Sequence, residues 1–134
     1  VDRTITNCFG NKRQFLDAWG DRLFKAAYDY IPQSTVARLI NQALIDIHND
    51  PAMLTMILLG QIHDSILVQL PMRTLSQSAW EIEQAIVYLD PQIEYEGREF
   101  KIGTDFKVGF NWKDMIEVEG TVGIKNRLAK ALRF

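Results

Sequence analysis

The residues of this chain best placed to do chemistry are His63 and Asp64. They sit between two apolar arms in the run Leu59-Gly60-Gln61-Ile62-His63-Asp64-Ser65-Ile66-Leu67-Val68-Gln69-Leu70-Pro71. The arms have the composition of strands, so the pair falls at or beside a tight reversal. Two-residue hairpin turns favour Gly or Asn because their central residues need positive φ, although Asp is tolerated there. A His-Asp tip between strands that would shield it from water breaks this local rule, and such breaks concentrate at functional sites. The chemistry open to it is that of a carboxylate presented to a metal ion.

Other chemistries lack their residues. His48 and His63 are the only histidines and Cys8 the only thiol, which removes zinc sites of three or four His/Cys ligands and multi-histidine phosphohydrolase sites. His48 ends a helical pattern, where the helix dipole favours a cation, so it reads as structural. No strand–Gly-x-Ser-x-Gly–helix turn raises a serine nucleophile, and no Gly-x-x-x-x-Gly-Lys-Ser/Thr loop cradles phosphates. Mg²⁺, a hard cation that takes one or two carboxylates plus substrate phosphates, suits Asp64. A two-metal site rarely stands on one carboxylate. None of Asp29, Asp46, Asp50, Asp90 or Asp105 has a spacing that marks it as the partner.

The elements that must position the pair follow from periodicity. Helical spacing starts near Gln14 with Phe15, Trp19, Leu23, Ala26 and Ala27, is weakened by Gly20, and meets Pro32. That proline either restarts a helix at its first turn or kinks one long helix. Val36, Leu39, Ile40, Ala43, Leu44 and Ile47 form the clearest stripe, ended by Asn49-Asp50-Pro51. Strands are expected over 54–62 and 66–71. Ser78-Ala79-Trp80-Glu81 has the form of a capping box opening a helix that carries Ala79, Ile82, Ile86 and Leu89 and closes at Asp90-Pro91. A second hairpin is expected over 92–95 and 98–110 around Glu96-Gly97, then a short turn or helix after Asn111-Trp112. Thr121 is expected to cap a last helix with Ile124, Leu128 and Leu132 on one face. Helices, hairpin, helix, hairpin and helix in that order make an α+β layer rather than an alternating parallel fold.

At 134 residues the chain holds at most one domain. A single cysteine excludes an internal disulfide and fits a reducing, cytoplasmic compartment; Cys8 lies among polar neighbours that do not mark it as reactive. No signal peptide is visible and the longest apolar run is too short to span a bilayer, so no membrane is expected. Because it opens on Val1 rather than Met, the chain is expected to be a trimmed or processed piece of something longer. Net charge is −2, which gives no global attraction to nucleic acid. The distribution is uneven, however. Residues 1–28 carry Arg3, Lys12, Arg13, Arg22 and Lys25 against Asp2, Asp17 and Asp21, and residues 121–134 carry Lys125, Arg127, Lys130 and Arg133 with no acid. Clustered bases reach phosphates through local potential, while charge alone favours a solvated face.

Gln61-Ile62-His63-Asp64-Ser65 with its apolar arms resembles motif C of family-A (DNA polymerase I-like) DNA polymerases, in which a palm hairpin presents a His-Asp-Glu tip. Phe9-Gly10-Asn11-Lys12-Arg13 resembles the family's Gly-Arg-Arg segment leading into the palm helices. Tyr30-Ile31-Pro32-Gln33-Ser34-Thr35-Val36-Ala37 resembles its Pro-x-Gln or x-Pro-Gln helix start. Asp105-Phe106-Lys107-Val108-Gly109-Phe110-Asn111-Trp112 resembles its closing strand. Order and approximate spacing agree across residues 3–118, and the variant motifs are most like phage-type members.

The resemblance implies DNA-directed DNA synthesis by two-metal nucleotidyl transfer, with Mg²⁺ as cofactor and primer–template DNA and a nucleoside triphosphate as partners. It makes Asp64 the catalytic, metal-binding carboxylate and places His63 near the primer terminus. Gln33 would approach the minor-groove edge of the new pair, where a hydrogen bond checks pair shape with little regard to sequence. Lys25 stands where the family usually has Arg, Asp29 where it commonly has Asn, and Lys12 and Arg13 match the basic segment. Ser65 replaces the usual Glu beside the catalytic Asp, which weakens or removes an accessory metal or water contact.

The motif A strand with the first catalytic Asp, the fingers helix, the thumb and an exonuclease have no counterpart. Residues 1–120 therefore look like the C-terminal portion of a palm, completed by another polypeptide or a lost segment, and 121–134 like a basic extension. That extension either docks on the partner or on DNA or remains a solvated tail. An incomplete palm sheet should leave an unpaired edge and an uncovered apolar face. A second expectation from a different class is a palm remnant that no longer catalyses and serves in DNA binding or assembly; reverse transcription or RNA synthesis on the same palm is a third.

Overall fold

Asn7 organises the start of the chain. Its Oδ1 accepts the backbone N–H groups of Phe9 (3.0 Å) and Asn11 (2.9 Å), and Gly10 supplies φ of 80°, so the chain reverses and pairs β1 (Thr4–Thr6) with β2 (Lys12–Gln14). The helix expected from Gln14 gives way to this strand. The computed structural model describes residues 2–120 and 123–133, and the helix α1 begins only at Asp21, after Gly20, and runs unbroken to Asn49. Phe15 is buried all the same, outside the helix, edge-on to Tyr30 with ring centroids 6.1 Å apart. Trp19 is instead exposed, packed between the Arg3 guanidinium at 4.6 Å and Phe24 at 5.9 Å.

Pro32 lies inside α1, so the helix continues through it rather than restarting. Proline removes the N–H that would bond the Tyr28 carbonyl. In the next turn Thr35 Oγ1 and Ser34 Oγ both donate to the Ile31 carbonyl, at 2.7 and 3.3 Å. Asp50-Pro51 ends α1 as expected, because the residue before a proline disfavours helical geometry.

β3 (Ile57–Ile62) and β4 (Ser65–Gln69) form the second ribbon, and a short 3₁₀ turn over Met72–Thr74 leads into α2 (Leu75–Leu89). This helix starts three residues before the supposed capping box. Ser78 and Glu81 lie inside it and are buried; Ser78 Oγ donates to the Pro71 carbonyl at 3.0 Å. The 3₁₀ turn delivers the chain already coiled, so Thr74 stands at the N-cap with no side-chain cap bond.

β5 (Ile93–Tyr95) and β6 (Arg98–Phe100) pair around Glu96-Gly97. The strand does not extend to residue 110. It resumes as β7 (Phe106–Val108), which pairs with β8 (Ile116–Val118), a strand that sequence periodicity did not reveal. Between them Asn111 Oδ1 accepts the N–H groups of Lys113 and Asp114, each at 2.9 Å, and a side chain on Gly109 would strike the Asp114 carbonyl.

α3 (Ile124–Ala131) closes the fold. Thr121, its expected cap, lies outside the described residues; Gly123 with φ of 70° stands at the N-cap. Ile124 and Leu128 are almost fully buried with Ala79, against Leu75, Ile82, Phe106 and Val108. Burying each such side chain stabilises the fold by about 1.5–3 kcal/mol. The apolar stripe of the last helix is thus packed on its own chain. The architecture is α+β, with the strands in four separate two-stranded antiparallel sheets. No helix among the described residues is long and apolar enough to cross a membrane.

Candidate functional site

Ile62 pairs with Ser65, so His63 and Asp64 alone form the loop between β3 and β4. His63 takes φ of 53°, a left-handed conformation that costs an L-residue roughly 1–2 kcal/mol. Ser65 Oγ closes the turn by donating to the Ile62 carbonyl at 2.8 Å. The Ser65 hydroxyl is therefore engaged with the backbone. Asp64 and His63 are both exposed. The arms do not shield the tip from water: no residue of β3 or β4 is fully buried, and Ile57 and Leu59 are more than half exposed. The reason is topological, since this ribbon has only two strands and each keeps an unpaired edge. A bulge at Leu59, where the register steps from Leu58–Val68 to Gly60–Leu67, re-aims the arm four residues before the tip.

Glu81 holds the base of this hairpin. Wholly buried, its carboxylate accepts the Thr55 N–H (3.0 Å), the Thr55 hydroxyl (2.9 Å) and the Gln77 amide (2.8 Å). These bonds tie α2 to the segment entering β3 and satisfy a charge that would otherwise be costly to bury. Sequence reading took Glu81 for a cap residue; the usable signal was a Glu set beside Ala79, Ile82 and Ala85 within an apolar helix.

Lys25, Asp29 and Gln33 lie four residues apart along α1, a spacing that puts them on one helical face over about 12 Å. Lys25 and Gln33 are exposed and Asp29 half-buried. Seven, ten and fourteen residues beyond Gln33 the same face carries Ile40, Ala43 and Ile47, all buried. One side of a single helix is covered by the chain over its second half and left open, with polar residues, over its first. Besides the N-terminal ribbon, α2 and β4 pack on α1, so the hairpin that presents Asp64 touches the helix that carries this row.

Lys12 and Arg13 stand exposed on β2, and the Arg13 guanidinium lies over the Phe15 ring at 4.8 Å. Their ribbon is docked on the turn of α1 around Gln33: Asn7 Nδ2 donates to Ser34 Oγ at 3.0 Å, and Tyr30 OH donates to the Asn11 carbonyl at 3.0 Å. Cys8 Sγ lies 3.7 Å from Thr35 Oγ1 in the same contact, which accounts for it structurally. His48 is exposed in the last turn of α1. Asn7, Ser34 and Thr35, which set the basic ribbon on the helix, escaped sequence reading because their bonds join residues 27 apart.

Among the described residues no group of three or more His, Cys, Asp or Glu side chains is arranged to hold a metal ion. Asp64 offers hard carboxylate oxygens of the kind Mg²⁺ takes, but a two-metal centre needs a second carboxylate. Compared with protein-family models, curated proteins and solved structures, the chain finds no match.

Proposed function

We propose that this chain is the motif C portion of a family-A-like DNA polymerase palm and works in template-directed nucleotidyl transfer once another polypeptide adds the motif A carboxylate, the fingers and the thumb. The observation that carries the proposal is the His63-Asp64 turn: a left-handed His beside an exposed carboxylate, at the tip of a ribbon whose arms lack a neighbouring strand. Lys25 and Gln33 on the open face of α1 support it, since a cation and an amide suit the minor-groove side of a duplex, whereas the Asp29 carboxylate between them does not.

In this reading Asp64 is the one metal ligand the chain supplies, and Mg²⁺, when bound, would lower the charge barrier as a primer 3′-hydroxyl loses its proton and bonds to the α-phosphate of a nucleoside triphosphate, breaking the α–β phosphoanhydride bond and releasing pyrophosphate. His63 holds the primer backbone near its terminus. Gln33 donates to acceptors that every correct pair shows in the minor groove, Lys25 contributes a positive charge near the phosphates, and Lys12 and Arg13 steady the approaching strand.

The test is primer extension by the chain mixed with its partner polypeptide in Mg²⁺. Asp64→Asn is expected to abolish extension while leaving assembly intact, His63→Ala to damage it less, and Gln33→Ala to lower mismatch discrimination or primer binding more than folding. Undiminished extension by Asp64→Asn sinks the catalytic assignment. One observation favours the alternative, a non-catalytic palm remnant in DNA binding or assembly: Ser65 is occupied in closing the turn rather than free to assist a metal. On that alternative, DNA binding persists in a complex whose extension ignores Asp64.

A further inference from the structure

The last helix carries charge that the proposed reaction leaves unused. Lys125, Arg127, Lys130 and Arg133 are all exposed, and no acid occurs between Gly120 and the end of the chain. Four of the 15 Lys and Arg residues thus fall within nine positions of a chain whose net charge is −2. The apolar stripe is taken up internally, with Ile124, Leu128 and Leu132 at 1, 2 and 8% exposure. Packing against α2 and β8 gives the helix a fixed mount. Its outward side is polar: among the described residues from 123 onward no large apolar side chain is exposed.

We propose that this face of α3 binds the phosphodiester backbone of duplex DNA. Phosphate recognition needs positive charge held in place and little else. A protein partner would need an aromatic or aliphatic anchor, and a lipid surface would need apolar side chains to insert; the outward side of α3 offers neither. From Lys125 to Lys130 the helix rises about 7.5 Å, with Lys125 and Arg127 on its two flanks and Arg133 in the turn past its end, so the charges are spread over a span comparable with several phosphates of a duplex. The choice of DNA as the polyanion rests on the polymerase reading, whereas the phosphate chemistry stands without it.

The experiment is fluorescence anisotropy of a labelled blunt duplex with the full chain, titrated between 50 and 200 mM KCl. Four phosphate contacts contribute a slope of about −3.6 in log K against log salt, roughly a hundredfold loss of affinity over that range. The variant carrying Lys125→Gln, Arg127→Gln, Lys130→Gln and Arg133→Gln is expected to lose that part of the slope while keeping its thermal midpoint. If it does not fold, single Arg127→Gln and Lys130→Gln variants each lowering the slope by about 0.9 decide the matter.

An unchanged slope overturns the proposal. So does an equal drop from Arg73→Gln, Arg98→Gln and Lys113→Gln together, or tighter binding to phosphatidylserine vesicles or polyglutamate than to the duplex. Asp64→Asn keeps the α3 slope. Loss of extension in that variant therefore reports on the polymerase reading alone, and the slope reports on α3 alone.

Discussion

The ribbons β3–β4 and β5–β6 each close through two residues, with Ile62 pairing Ser65 across one tip and Tyr95 pairing Arg98 across the other. At the second tip Glu96 and Gly97 both take positive φ, 51° and 74°, the geometry of the turn that best matches strand twist, and glycine occupies one of the two demanding positions. At the first, His63 takes φ of 53° with no glycine beside it, and Asp64 follows. Two turns of equal length thus each hold one L-residue in the left-handed region, His63 at one tip and Glu96 at the other. They differ in what they present: Glu96 is followed by Gly97, whereas His63 stands beside the exposed carboxylate of Asp64.

Neutralising the carboxylate at each tip should separate them most sharply. Asp64→Asn is expected to lower primer extension by the completed complex by roughly 10²–10³-fold or more, and Glu96→Gln to leave it unchanged; equal effects would mean that the first tip has no special standing. Next in size is the support beneath the first tip. Glu81→Ala leaves the Thr55 N–H and hydroxyl without their acceptor, and denaturant unfolding should show a loss of about 2–3 kcal/mol.

Smaller effects come from the turns themselves. His63→Gly relieves about 1–2 kcal/mol of left-handed strain and gives back about 0.5–1 kcal/mol in backbone entropy, so it should stabilise slightly while impairing extension. Gly97→Ala should destabilise by a similar small margin with extension intact, since nothing lies near the added methyl and only φ is at issue. Glu96→Gly relieves the same left-handed strain and should stabilise by the same margin with extension intact; a stable His63→Gly of full activity would break the contrast.

The least effect concerns the clasp between α1 and α2, remote from both tips. Tyr88 OH donates to Asp50 Oδ2 at 2.8 Å, and this bond, then burial and the nearby carboxylates, raise its pKa above 10.0. A raised value means that the bond contributes below pH 10 and is lost as pH climbs through the folded pKa. Tyr88→Phe should therefore cost a little stability at neutral pH and flatten the alkaline decline, which thermal midpoints between pH 8 and 11 will register.

Local signals carried far along this chain. The reversal at His63-Asp64, the stripe from Leu39 to Ile47, the Asp-Pro stops after α1 and α2, and the Glu96-Gly97 turn all follow from neighbouring residues. Where reading failed, a distant partner had intervened. Lys12–Gln14 became a strand because Thr4–Thr6 lay opposite, Ile116–Val118 because Phe106–Val108 did, and Glu81 moved from a supposed cap to a buried anchor because Thr55 came to meet it. The candidate site divides in the same way. Lys25, Asp29 and Gln33 share a face by spacing alone, yet that the face is open there and covered farther along depends on what packs against α1.

By itself, then, the sequence determined a His-Asp hairpin tip, the helix periods, an α+β order and a basic end, because turn chemistry and hydrophobic spacing act over a few residues. The tertiary structure decided that the tip stands exposed on an unpartnered ribbon, that Ser65 is committed to the turn, that Glu81 holds the base of the hairpin, and that the last helix turns its charges outward. Those outcomes are set by burial and by bonds between residues far apart in the chain, which no local pattern contains.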